Sequence, residues 1–159
     1  MAGIPLYIHW SFPVGGLLVV AFLGDFSPAT MLSAVAAYTA LVALHELGHA
    51  AFARRAGVEV HALVITATGG LCLFDSPPAA IDRMLIASGG LLAQLTVFLI
   101  TLGFVASSGD ITSPVVNGFV VVFTLCNVIL FLGNLIPCRY SDGSMILKAL
   151  RDLRRRGSA

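Results

Sequence analysis

The chain has 159 residues, 58% of them hydrophobic and 11% charged, with a formal net charge of +1 at pH 7 and a mean hydropathy of +0.96. Soluble domains carry about 25% charged residues, so this composition excludes a protein that covers its whole surface in water; lipid must be part of its solvent. The length allows one domain over residues 1–159, expected to be an all-α polytopic membrane protein in which about four helices of about 20 residues cross a bilayer.

The first apolar stretch, 8–23, is short and interrupted by Pro13, Gly15 and Gly16. It lacks the Lys or Arg that opens a secretory signal peptide, so it is read as retained. A turn segment, Asp25–Thr30, leads into the second stretch, 31–52. Residues 58–74 are rich in Val, Ile and Thr and contain Gly69-Gly70, which predicts a short β-hairpin. The third stretch, 84–106, and the fourth, 115–136, flank the turn-forming Ser107–Pro114. A helix with a basic second half is expected over 141–156. No internal repeat is visible, and no soluble regulatory domain is expected outside these segments.

Arg54, Arg55, Arg83, Arg139, Lys148, Arg151, Arg154, Arg155 and Arg156 all fall at the same ends of the spans, whereas the opposite loops hold Asp25 and Asp110 and no base. The positive-inside rule makes the basic side cytoplasmic, with both termini and the hairpin there. The basic helix has two readings. It lies along the inner leaflet, where each Lys or Arg contributes about 1 kcal/mol near anionic lipid, or it is a solvated tail. Cys72, Cys126 and Cys138 are odd in number and lie in the spans or on the cytoplasmic side, which argues against a disulfide framework. Cys138 is close enough to the candidate site to offer a thiolate, but the preferred reading is a buried small hydrophobe.

The informative pentapeptide is His45-Glu46-Leu47-Gly48-His49. On a helix, positions i and i+4 share a face, so the two imidazoles can reach one tetrahedral ion. Glu46 follows the first of them and can address a water at that ion without closing its coordination shell. Two His and a Glu near the end of an apolar span are costly, and such residues in membrane segments are functional candidates by default; a packing cluster bonded to neighbouring carbonyls is the plainer alternative. Counting from Met31, the site lies roughly 9 Å below the cytoplasmic boundary of a core about 30 Å thick.

A catalytic zinc usually has three protein ligands and an open position. His9, His61, Asp75, Asp82, Asp142 and Asp152 lie on the correct side. Asp142 stands out because Pro137 ends the fourth span and frees the backbone to turn a carboxylate back toward the second helix. Spacing alone leaves it evenly balanced between a ligand and an ordinary acidic residue at a helix N-terminus.

Together, His45–His49, Asn134-Leu135-Ile136-Pro137 and Asp142-Gly143 resemble the site-2 protease family of intramembrane metalloproteases, which carries HExxH on one core helix and an NxxPxPxxDG-like motif on another. The likeness continues through residues 146–150, more loosely through Gly90–Gln94 (Gly-Pro-x-x-Asn in the family), and at residues 8–12, similar to the family's entry to its first helix. Leu91, Gln94, Arg139, Ser144 and Met145 depart from the family pattern without touching the metal set, and bear on the loop over the site. The resemblance implies one zinc ion per chain on His45, His49 and Asp142, with Glu46 as catalytic acid/base. It implies Asn134 as a substrate-positioning or transition-state residue, a helix-packing amide being the alternative. It also implies a hairpin that takes substrate as an added strand, the alternative being one that merely plugs the bundle.

The expected reaction is hydrolysis of peptide bonds within or near the membrane, on single-span or other membrane-protein substrates, with the bilayer as the other partner and no nucleic acid. Rival readings are a catalytically silent scaffold, which would not need Glu46, and a zinc transporter, which would favour ligands near the midplane and internal repeats.

Overall fold

The computed structural model describes residues 3–23, 27–77, 79–138 and 141–157. The expectations that fall on Asp25 and Arg139 lie outside these. Helices dominate, as the composition requires. Trp10, Leu17, Leu32 and Ile100 are each more than two-thirds exposed, an exterior suited to lipid.

Among the described residues, three helical stretches are long and apolar enough to cross a membrane: Pro28–Arg55, Ala80–Ser108 and Pro114–Leu135. The expected first span differs. Of the run 8–23 only Ile8 lies in a strand, β1 (Leu6–Ile8), and helix α1 (Phe12–Leu23) has 12 residues, about 18 Å against a hydrocarbon core of about 30 Å. The cause is pairing. β1 runs parallel to β2 (Val60–Ile65) with Leu6 opposite Leu63, and the His9 amide donates to the Ile65 carbonyl at 2.8 Å. The start of the run is therefore tied to the sheet through Ile8 and His9, and the helix begins only at Phe12.

Helix α2 (Pro28–Arg55) begins with Pro28 in its first turn and Ser27 as N-cap, the hydroxyl accepting from the Thr30 amide. Its buried residues form one stripe at helical spacing: Ala34, Ala37, Tyr38, Leu41, Val42, His45, Glu46, His49, Ala50 and Ala53. The same 3.6-residue period that buries the alanines carries the two His and the Glu inward. Helix α3 (Ala80–Ser108) packs closely on α2, where Gly48 and Gly89 meet backbone to backbone; a Cβ on either would collide with the other's carbonyl.

The hairpin is present as β2 and β3 (Gly70–Phe74), antiparallel, but as part of a three-stranded sheet ordered β1-β2-β3. Like β1 on the other side, β3 is an edge strand of this sheet. Its turn is held by Thr66, whose amide and hydroxyl both donate to the Gly69 carbonyl, and is pinned to α2 by the Tyr38 hydroxyl donating to the Ala67 carbonyl at 2.8 Å.

The last span is a helix with a defect. Helix α4 (Pro114–Val121), a π-helical turn (Val122–Cys126) and helix α5 (Asn127–Leu135) follow one another without a break. Extra residues in one turn rotate everything downstream, and such turns recur at functional sites. Helix α6 (Asp142–Gly157) does not trail away as a free tail. It packs on α3, burying Ala149 and pairing Arg83 with Asp152, while Lys148, Arg151, Arg154 and Arg155 remain exposed.

Candidate metal centre

His45, His49 and Asp142 converge from α2 and from the first residue of α6 into one group. The Nε2 atoms of His45 and His49 are 3.0 Å apart. Asp142 Oδ2 lies 3.3 Å from His45 Nε2, and Oδ1 lies 3.3 Å from His49 Nε2. A tetrahedral ion with bonds of about 2.0–2.1 Å holds its ligand atoms about 3.3 Å apart, so the triangle has the right size. The three residues are each 7% exposed. Asp142 Oδ2 and His45 Nδ1 have no hydrogen-bond partner although buried, and a buried polar atom without a partner is costly. A cation among the three groups would meet the carboxylate's need. His49 Nδ1 is 2.8 Å from the Ile86 carbonyl. Since a carbonyl only accepts, that nitrogen donates, and the neutral ring presents its Nε2 lone pair to the centre.

The packing makes room for this arrangement. A Cβ on Gly90 would lie 2.5 Å from His49 Nε2 and 2.6 Å from His45 Cε1, so only glycine lets α3 pass over the imidazoles. Glu46, 3% exposed, lies outside the triangle with Oε1 4.0 Å from His45 Nε2. Its carboxylate rests against Gly70 at the start of β3, where a Cβ would be 2.5 Å from Oε1.

Asp142 is both of the things its position in the sequence allowed: the opening residue of a helix and a partner of the two imidazoles. The chain turns back through Ser141. Its hydroxyl donates to the Ile136 carbonyl at 2.6 Å and accepts from the Cys138 and Ser144 amides at 3.0 and 3.2 Å. Gly143 then lets α6 start directly against the Leu135 carbonyl. Asn134 joins the group, its Nδ2 3.5 Å from His45 Nε2.

The other third-ligand candidates lie elsewhere. His9 bonds Ser11, the exposed His61 bonds Asp75 at 2.9 Å, and Asp152 faces Arg83; Asp82 sits in the first turn of α3. Cys138 is exposed on the cavity wall, not buried, three residues past the end of α5 at Leu135. Residues the motifs did not single out, Gly70, Gly90 and Ser141, shape the centre. Only the Gly69-Gly70 and Gly90–Gln94 patterns hinted at the first two.

A cavity of about 810 Å³ opens over the centre. His45, Glu46, His49, Asn134 and Asp142 line one side, and β3 residues Gly70–Cys72 line the other. A buried N₂O ligand set with a free carboxylate beside it and a peptide-sized cavity in front suits metal-assisted attack by water on a carbonyl.

The Peptidase M50B-like family matches residues 16–140 of the chain. A zinc metalloprotease of Methanocaldococcus jannaschii is 33% identical over 69% of this chain and 31% of its own length. A Mycobacterium tuberculosis protein, likewise named as a zinc metalloprotease, is 31% identical over 94% of this chain and 42% of its own length. The chain thus spans less than half the length of these relatives. Among solved structures, a site-2 protease from Methanocaldococcus jannaschii superposes with a TM-score of 0.74 at 27% identity, covering 94% of this chain and 68% of that one.

Proposed function

Because the chain belongs to the Peptidase M50B-like family, we propose that it is an intramembrane zinc endopeptidase, cleaving peptide bonds in or near transmembrane segments of membrane-protein substrates. The observation that carries this reading is the buried triangle of His45, His49 and Asp142 with the Glu46 carboxylate beside it, facing a cavity walled by a strand edge.

The two Nε2 atoms and the Asp142 carboxylate would hold zinc, which would supply acidification of a water and polarisation of a carbonyl. The remaining work falls to side chains. Glu46 takes the proton of the attacking water and later delivers it to the leaving amine; its place outside the triangle leaves it free to do so. The Ile86 carbonyl fixes the His49 ring. The Asn134 amide donates to the substrate carbonyl oxygen as negative charge develops there. The outer edge of β3 receives the substrate as an added strand, which suits a substrate whose helical peptide bonds must first be extended. The one-sided basic residues support a cytoplasmic side for this end of α2, from which water reaches the site. A scaffold that only binds clients has no use for a carboxylate kept buried at this position.

The test pairs metal content with activity on one preparation. Elemental analysis should give about one zinc per chain for the wild type and for Glu46→Gln, while cleavage of a single-span substrate in liposomes falls about 10²–10⁴-fold in the variant. Full activity in Glu46→Gln would remove the mechanism. Loss of zinc together with activity would make Glu46 a ligand or a structural residue instead.

A further inference from the structure

Helix α3 contributes more to the centre than clearance. One turn beyond Gly90, on the same face, stands Gln94, 2% exposed. Its side-chain carbonyl accepts from Asn134 Nδ2 at 3.4 Å, and its backbone carbonyl accepts from Asn127 Nδ2 at 2.9 Å. Asn127, 1% exposed, also donates to the Phe123 carbonyl inside the π-helical turn. Two asparagines seven residues apart on α5 are therefore both anchored to the same glutamine, one to its backbone and one to its side chain. The first bond ties the start of α5 to α3 just after the π turn, and the second reaches the Asn134 amide near the other end of α5.

The Asn134 amide nitrogen has two protons. It sits between Gln94 Oε1 and His45 Nε2. When the His45 lone pair is given to a metal, that nitrogen no longer accepts. One proton then stays with Gln94, and the other is directed at the space beside the ligand triangle. We infer that Gln94 is a positioning residue, holding one N–H of Asn134 so that the other faces the substrate carbonyl. The inference rests on the protease reading above. It assigns a role to a position where the side chain departs from the shorter amide of the family pattern: a longer side chain spans from α3 to Asn134.

The experiment uses the full chain in liposomes with Gln94→Met, which keeps length and removes the acceptor, Gln94→Glu, which keeps an acceptor oxygen, Asn134→Ala, and the double variant Gln94→Met/Asn134→Ala. Zinc affinity by chelator competition and the thermal midpoint are read beside kcat and KM. Gln94→Met and Asn134→Ala should each lower kcat about 10–100-fold, with KM changed less than about two-fold. The double variant should be no slower than Asn134→Ala, Gln94→Glu should recover most of the rate, and zinc affinity should stay at the wild-type level throughout. Losses that multiply in the double variant, failure of Gln94→Glu to rescue while folded and zinc-loaded, or loss of zinc in Gln94→Met would each overturn the positioning role. A wild type that binds zinc but cleaves nothing would fail the protease reading itself and take this inference with it.

Discussion

Gly90→Ala is a sharp test of the metal centre because it adds one methyl group and no charge. The new Cβ would lie 2.5 Å from His49 Nε2 and 2.6 Å from His45 Cε1, where real contacts do not fall below 3.0 Å. Restoring ordinary contact requires the rings or α3 to move by roughly 0.5–1 Å. The backbone cannot yield easily, since Gly89, the preceding residue, is already in contact with Gly48. Ligand distances tolerate only about 0.2 Å, so the rings give way and the triangle opens. Zinc affinity should fall at least about 100-fold, equivalent to about 2.7 kcal/mol, while overpacking alone costs about 1–3 kcal/mol of stability. The assay is competition with a chromophoric chelator on detergent-purified protein, with circular dichroism to monitor the fold. Gly103→Ala is the control: it lies on the same helix with nothing within 4 Å of its Cβ position. Wild-type zinc affinity in a folded Gly90→Ala protein would refute the placement of both imidazoles.

Asp142→Ala should weaken zinc binding by removing one of three ligands, whereas His61→Ala and Asp75→Ala should leave it intact; elemental analysis showing the reverse would reassign the third ligand. A cysteine introduced at Asp110 in a background lacking the native thiols should react with impermeant maleimide only from the extracytoplasmic side, and labelling from the cytoplasm would invert the topology. The His61 pKa is raised by its hydrogen bond to Asp75. The pair's support of the hairpin is therefore fully present below the pKa of unfolded His61 and lost as pH rises through the folded value. Asp75→Asn should bring the His61 titration, followed by NMR, back toward the ordinary 6.5 and flatten that dependence; an unmoved titration would show the bond is not formed in solution.

The sequence by itself determined the features that are local or periodic. Long apolar runs specify membrane helices because lipid leaves backbone groups no partner but their own chain. His45 and His49 share a face because the helix repeats every 3.6 residues, and the one-sided basic residues needed no structure to be seen. Tertiary structure decided what depends on a distant neighbour. The apolar run 8–23 holds only a 12-residue helix because its first residues, Ile8 and His9, are tied to β2 by sheet hydrogen bonds. Asp142, evenly balanced by spacing, faces the imidazoles because Ser141 ties the loop back and Gly143 admits the Leu135 carbonyl. Gly90 and Gln94 stood out only by a loose likeness to a family pattern, and what they do is visible once α2 and α5 are packed against them. Contacts between residues 40 or 90 positions apart leave no period in the chain; only the packed bundle reveals them.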